Sequence, residues 1–146
     1  MPKAIGQPIL LLVDDDPLIA DTLSYFLRRD FQIVLAASRA EALAKARQLP
    51  PTLALIDLGL PPTPHRPDEG FALVTELLAL APTVLIVVLS GQNDEANARH
   101  ARALGAIDFV AKPADPAALR QKLRGMLATA AQPTALAIEL IGSSAP

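Results

Sequence analysis

With 146 residues, 51% of them hydrophobic, the chain can bury one ordinary core and is short for two. Its 13 Lys and Arg against 15 Asp and Glu leave a formal net charge of -2, and aromatics are 3% with no Trp, so it has neither a basic field for a polyphosphate backbone nor platforms for stacked bases. The absence of Cys excludes a disulfide framework, a thiolate metal site and thiol catalysis.

In chain order, apolar runs at residues 9–13, 33–37, 53–56 and 84–89, with a weaker one at 107–110, are too short for helices. They lack polar alternation, which suits strands covered on both faces of a parallel sheet. The first run meets Asp14, Asp15 and Asp16 too soon for a signal peptide, and no run approaches the roughly 20 apolar residues of a bilayer span. The expectation is a cytoplasmic protein that binds neither membrane nor nucleic acid.

Between the strands lie helical spacings: Ile19, Leu23, Phe26 and Leu27; Ala40, Leu43, Ala44 and Ala46; Phe71, Val74, Leu77 and Leu78; an Ala-rich stretch at 93–104; and Leu119, Leu123, Met126 and Leu127. Pro17 suits a first helical turn, Ser38 and Asn93 suit N-caps with Glu41 completing a capping box after Ser38, and Pro116 follows Asp115 in the same manner. A (βα)5 alternation folds as a doubly wound, five-stranded parallel sheet with right-handed crossovers and helices on both faces. Such sheets bind ligands at the carboxyl ends of their strands.

Those ends are polar: Asp14-Asp15-Asp16, Asp57, Ser90-Gly91 and Lys112-Pro113. Singly, each has a plain structural reading: an Asp as a turn or N-cap residue, Ser90 as a strand-end cap, Phe109 as a core residue, Lys112 as a solvated loop charge. Together, carboxylates from adjacent strands repel. Two of them about 4 Å apart cost about 4 kcal/mol at an effective dielectric near 20. A divalent hard cation with Lys112 as charge partner would offset them, and oxygen ligands without His or Cys favour Mg2+ over zinc. This arrangement suits phosphoryl chemistry with a carboxylate nucleophile. Asp16 reads as solvated or helix-capping, and His65 and His100 as surface residues without a metal or phosphoryl role.

The constellation Asp14-Asp15, Asp57, Ser90, Phe109 and Lys112-Pro113 resembles the receiver domain of two-component response regulators, the CheY-like, flavodoxin-like fold, over about residues 8–128. The resemblance implies that Asp57 accepts a phosphoryl group from a partner histidine kinase or phosphotransfer protein. It implies Mg2+ held by Asp15 and Asp57, with Asp14 acting mainly through water and Gly59 through its carbonyl. Ser90 and Lys112 would grip the phosphoryl group, Phe109 would act as an aromatic switch, and the Lys112-Pro113 bond would be cis. The domain would be a switch and not an enzyme, dimerising on phosphorylation to control an output domain in transcription regulation. A small Mg2+-dependent phosphatase would need a general acid where this chain has Gly59, and a pseudo-receiver is disfavoured by intact Asp57 and Lys112.

Relative to the family, Gly70 lies further from Asp57, so the connection after the third strand is longer. Its residues 60–67 include Pro61, Pro62, Pro64 and Pro67, which favour an extended, stiff surface course. Ser90 stands where Thr is commoner. Residues 1–128 read as the receiver and 129–146 as a linker leading into something incomplete. Residues 138–146 resemble the opening of the AAA+ module of NtrC-like enhancer-binding activators, without a P-loop lysine. The segments 57–62 and 68–70 likewise look like the receivers of NtrC-like regulators of exopolysaccharide and exosortase systems.

Overall fold

The structure, a computed structural model, describes residues 6–91 and 95–130. Strands and helices alternate: β1 (Ile9–Val13), α1 (Pro17–Leu27), β2 (Gln32–Ala36), α2 (Arg39–Gln48), β3 (Leu53–Asp57), α3 (Asp68–Leu80), β4 (Leu85–Ser90), α4 (Glu95–Leu104), β5 (Asp108–Ala111) and α5 (Pro116–Ala130). All five strands lie parallel in one sheet, in the order β2-β1-β3-β4-β5. The chain turns to opposite sides of β1 to reach β2 and β3, so a crevice opens beyond the carboxyl ends of β1 and β3.

Both faces of the sheet are buried. Leu11, Val13, Ala54, Ile56, Ile86 and Val88 share one core with Ala42, Leu43 and Ala46 of α2, Leu73, Val74 and Leu77 of α3, and Ala101 of α4. The alternate residues Leu10, Leu12, Leu53, Leu55, Val87 and Leu89 are buried too, as a period-two strand with two covered faces requires. This explains the unbroken apolar runs.

The strand ends differ by a residue from the apolar runs because hydrogen-bond register, not apolarity, decides them. β2 begins at Gln32, which pairs with Ile9, while Val84 is held in a turn, its N–H donating to Ala81 O at 3.0 Å. β3 and β4 extend to Asp57 and Ser90 themselves, and β5 runs Asp108–Ala111. Some helix faces also differ. Ala42, Leu43 and Ala46 are the buried stripe of α2, with Ala40 and Ala44 exposed, and Phe26 of α1 faces outward.

Among the described residues the expected caps form. Asp16 accepts from the Leu18 N–H at 2.9 Å ahead of Pro17, and Ser38 Oγ accepts from Glu41 N–H at 3.1 Å. Glu41 completes its side of the box by accepting from Ala37 N–H at 2.7 Å, and that bond, with Lys45, holds its carboxyl below the usual 4.5. Residues to Ala114 form one compact unit, and α5 lies in a second that begins at Asp115. There Asp115 Oδ2 accepts from the Ala118 N–H at 3.3 Å, Leu119 and Leu123 are buried, and the helix continues past Leu127 to Ala130. Asn93 and the tail from 131, including the AAA+-like segment, lie outside the described residues.

Candidate functional site

Register brings the polar strand ends together. Val13 pairs with Ile56, which sets Asp14 beside Asp57, and Asp57 pairs with Leu89, which sets Ser90 one step beyond it. Ser90 pairs with Ala111, and the next residue, Lys112, donates its N–H to Ser90 O at 2.7 Å. Four strands thus deliver their terminal residues to one edge without any of them being close in sequence.

Asp14 continues the strand geometry, its N–H donating to Ala36 O at 3.0 Å, which turns its side chain inward where it is fully buried. Its Oδ1 accepts from the Asp16 N–H at 2.9 Å and its Oδ2 lies 2.9 Å from Lys112 Nζ. Lys112 Nζ also lies 3.1 Å from Asp57 Oδ2, while Asp57 Oδ1 accepts from the Gly59 N–H at 3.2 Å. Asp15 is exposed, yet its carboxylate comes within 4.8 Å of those of Asp14 and Asp57. The direct partner of the lysine is therefore Asp14 together with Asp57, and Asp15 faces the opening. The Lys112-Pro113 bond is cis, as expected, and so is Pro61-Pro62.

Burial pushes the Asp57 carboxyl up to about 6, and the Asp14 charge adds to the rise while Lys112 and the Gly59 N–H oppose it. Burial also works against the charged form of Lys112, but its bond to Asp14 and the two carboxylate charges outweigh this and hold its pKa above the usual 10.5. Two buried carboxylates with one lysine leave a charge deficit. The donors around it are all oxygen, and the three carboxylates lie close enough to share one ion, so the residues present fit a hard divalent cation such as Mg2+.

Ser90 is buried at the end of β4 and lines the same cavity, of about 570 Å³, as Asp15, Asp57, Gly59 and Lys112. Phe109 is half-buried against the core; it pairs with Val88, so it and Ser90 are diagonal neighbours on one sheet face. His100 is exposed, as expected, and stacks on Phe71 with ring centroids 4.2 Å apart.

The connection between β3 and α3 departs from the expected extended course. Leu60 is fully buried, the Thr63 N–H donates to Leu60 O at 3.1 Å, and the Arg66 N–H donates to Thr63 O at 3.0 Å, so the segment folds as successive turns. Its Pro64 carbonyl sits so tightly on Gly59 that a Cβ there would collide with it, and Gly70 is pressed in the same way against Leu58. The turns bring Pro64, His65, Arg66 and Pro67 to the cavity wall. His65 is exposed as expected, and the connection borders the site as its extra length beside Asp57 suggests, but no sequence feature singles out His65 or Arg66 as the residues that line its wall.

Residues 10–124 match the response regulator receiver domain family. The chain is 34% identical over 117 residues to the transcriptional regulatory protein CreB of Escherichia coli K12, which covers 80% of this chain and 49% of that protein. It thus spans about half the length of the curated relatives it matches. A CheY-like receiver domain protein from Methanospirillum hungatei superposes with a TM-score of 0.77 at 28% identity, covering 85% of this chain and 96% of the other. A response regulator from Burkholderia pseudomallei, solved with a phosphorylated aspartic acid, a calcium ion and citrate, gives 0.69 at 28% identity over 84% and 74%. Among the described residues no helix is long and apolar enough to cross a membrane. Sheet order, strand-end carboxylates, paired lysine and family match agree: the chain belongs to the response regulator receiver domain family of two-component signalling.

Proposed function

We infer that residues 1–128 are a phosphorylation-controlled switch in which Asp57 is the acceptor. The observation that carries this is the buried Asp57 carboxylate at the end of β3, held by Lys112 and grouped with Asp14 and Asp15. An Asp57 oxygen attacks the phosphorus of a phosphohistidine on a partner kinase or phosphotransfer protein. The new O–P bond forms as the P–N bond breaks, and its electron pair leaves on the imidazole nitrogen, which takes up a proton. Asp15, Asp57 and the Gly59 carbonyl would hold Mg2+, with Asp14 acting through water; when bound, it supplies positive charge against the phosphoryl oxygens. The phosphorylated aspartate and calcium ion of the Burkholderia relative support both assignments. Lys112 and the Ser90 hydroxyl grip the phosphoryl group. Ser90 is drawn toward it, and Phe109, its diagonal neighbour, follows.

The domain turns over no substrate of its own; it biases a two-state equilibrium for an output domain and for phosphorylation-dependent dimerisation. A shift from mostly off to mostly on needs roughly 3 to 5 kcal/mol of differential interaction, within reach of one doubly charged group gripped by Ser90 and Lys112. The relative named as a transcriptional regulatory protein supports a transcription-regulating output. The narrower expectation of an NtrC-like parent, with residues 129–146 leading into an AAA+ module, gains nothing from that relative. It rests on the sequence of 138–146 and of the segments 57–62 and 68–70, so the reading is widened to a transcription output of unspecified type.

The test is incubation with Mg2+ and acetyl phosphate followed by intact mass, beside Asp57→Asn and an EDTA control. One labile phosphoryl group on the native chain, absent from both controls, is expected. A folded, Mg2+-binding chain that takes up none would sink the acceptor assignment.

A further inference from the structure

Resting on that reading, we propose that Arg66 is a phosphoryl-binding residue, set at the mouth of the Asp57 cavity by the folded β3–α3 connection. Three observations lead there. First, the backbone at Arg66 is anchored from both sides. Leu60 is fully buried before it, the Arg66 N–H is bonded to Thr63 O at 3.0 Å, and Gly70 beyond it donates to Leu58 O at 3.2 Å. Pro64 and Pro67 flank it, so little backbone entropy is left to lose when the side chain binds. Second, two glycines make this seat possible, since a side chain at Gly59 would strike the Pro64 carbonyl and one at Gly70 would strike the backbone of Leu58.

Third, charge in the cavity is one-sided. Asp15, Asp16 and Asp57 are on its wall, and among the described lining residues only Lys112 and Arg66 carry a permanent positive charge. Lys112 is already committed to Asp14 and Asp57 at 2.9 and 3.1 Å. An incoming phosphoryl group brings further negative charge that Lys112 and one divalent cation must share with the carboxylates. Arg66 is held by a longer, solvent-exposed pair with Asp68 at 3.3 Å, a contact of small net worth that a phosphoryl oxygen can displace. A guanidinium also presents the donor fork suited to a phosphate. Arg66 therefore exchanges Asp68 for the donor's phosphoryl oxygens and assists Lys112 in drawing the group onto Asp57.

The test measures the rate of Asp57 phosphorylation against acetyl phosphate concentration at saturating Mg2+ on the full chain. Arg66→Gln should raise the half-saturating concentration about fivefold to tenfold, with Arg66→Lys recovering part of it. Asp68→Asn, which frees the guanidinium, should shift it the opposite way. Affinity for beryllium fluoride with Mg2+, a phosphoryl mimic read by thermal shift, should fall in Arg66→Gln by a similar factor. Unchanged concentration dependence in Arg66→Gln, or a shift in the same direction for Arg66→Gln and Asp68→Asn, would overturn the assignment while leaving Asp57 as acceptor. Failure of the native chain to be phosphorylated would instead remove the acceptor reading and this one with it.

Discussion

Replacing Asp57 by Asn should stabilise the metal-free domain, and by an amount that grows with pH. Burial raises the carboxyl from 3.8 to about 6, so the folded state resists ionisation that the unfolded chain accepts freely. The sign follows from that order. The group's contribution to stability is fully present below the unfolded value and is lost as pH rises through about 6. A gap of about two pH units at about 1.4 kcal/mol each gives a loss of about 3 kcal/mol by pH 7, of which about 1 kcal/mol falls between pH 5 and pH 7. Asn has nearly the same shape and cannot ionise, and Lys112 keeps Asp14 as partner at 2.9 Å. Urea unfolding of both proteins in EDTA at pH 5 and pH 7 measures the difference, and the other titrating groups cancel in it. The advantage of Asp57→Asn should widen by about 1 kcal/mol, or a few degrees in Tm. An advantage that is flat or shrinks on going to pH 7 would refute the claim that the buried, ionised Asp57 is a cost to the fold.

Mg2+ should raise the Tm of the native chain more at pH 7 than at pH 5, because protons compete for Asp57, and this pH dependence should vanish in Asp57→Asn; differential scanning fluorimetry with and without EDTA reads it. Lys112→Met leaves the fully buried Asp14 side chain and Asp57 without their cation and should cost about 2 to 4 kcal/mol at pH 7 in chemical denaturation, with a smaller loss at pH 5, where Asp57 can hold a proton. Gly70→Ala forces a methyl against the Leu58 backbone and should cost about 1 to 3 kcal/mol by urea unfolding, whereas Gly125→Ala, with open space around the added Cβ, should be neutral or slightly stabilising.

The alternation of strands and helices and the place of the site were legible in the chain because both depend on local pattern. Runs such as Leu53 to Ile56 are apolar throughout since a parallel strand buries both faces, and in such a sheet every strand delivers its last residue to the same edge. Asp14, Asp57, Ser90 and Lys112 could therefore be grouped from chain order alone. Tertiary structure decided what depends on contacts between distant residues. Asp14 and Asp15 are chemically alike neighbours, but Asp14 continues the ladder to Ala36 O and is the one buried against Lys112, while Asp15 is exposed at the opening. Ala40, Ala44 and Phe26 fit a helical spacing as well as the residues actually buried do; the neighbour a helix packs against selects the stripe. The proline-rich connection reads as extended when only φ is considered. It folds into turns because Leu60 finds the core and Gly59 and Gly70 admit backbone that any side chain would exclude, and that packing is what sets Arg66 on the wall of the acceptor's cavity.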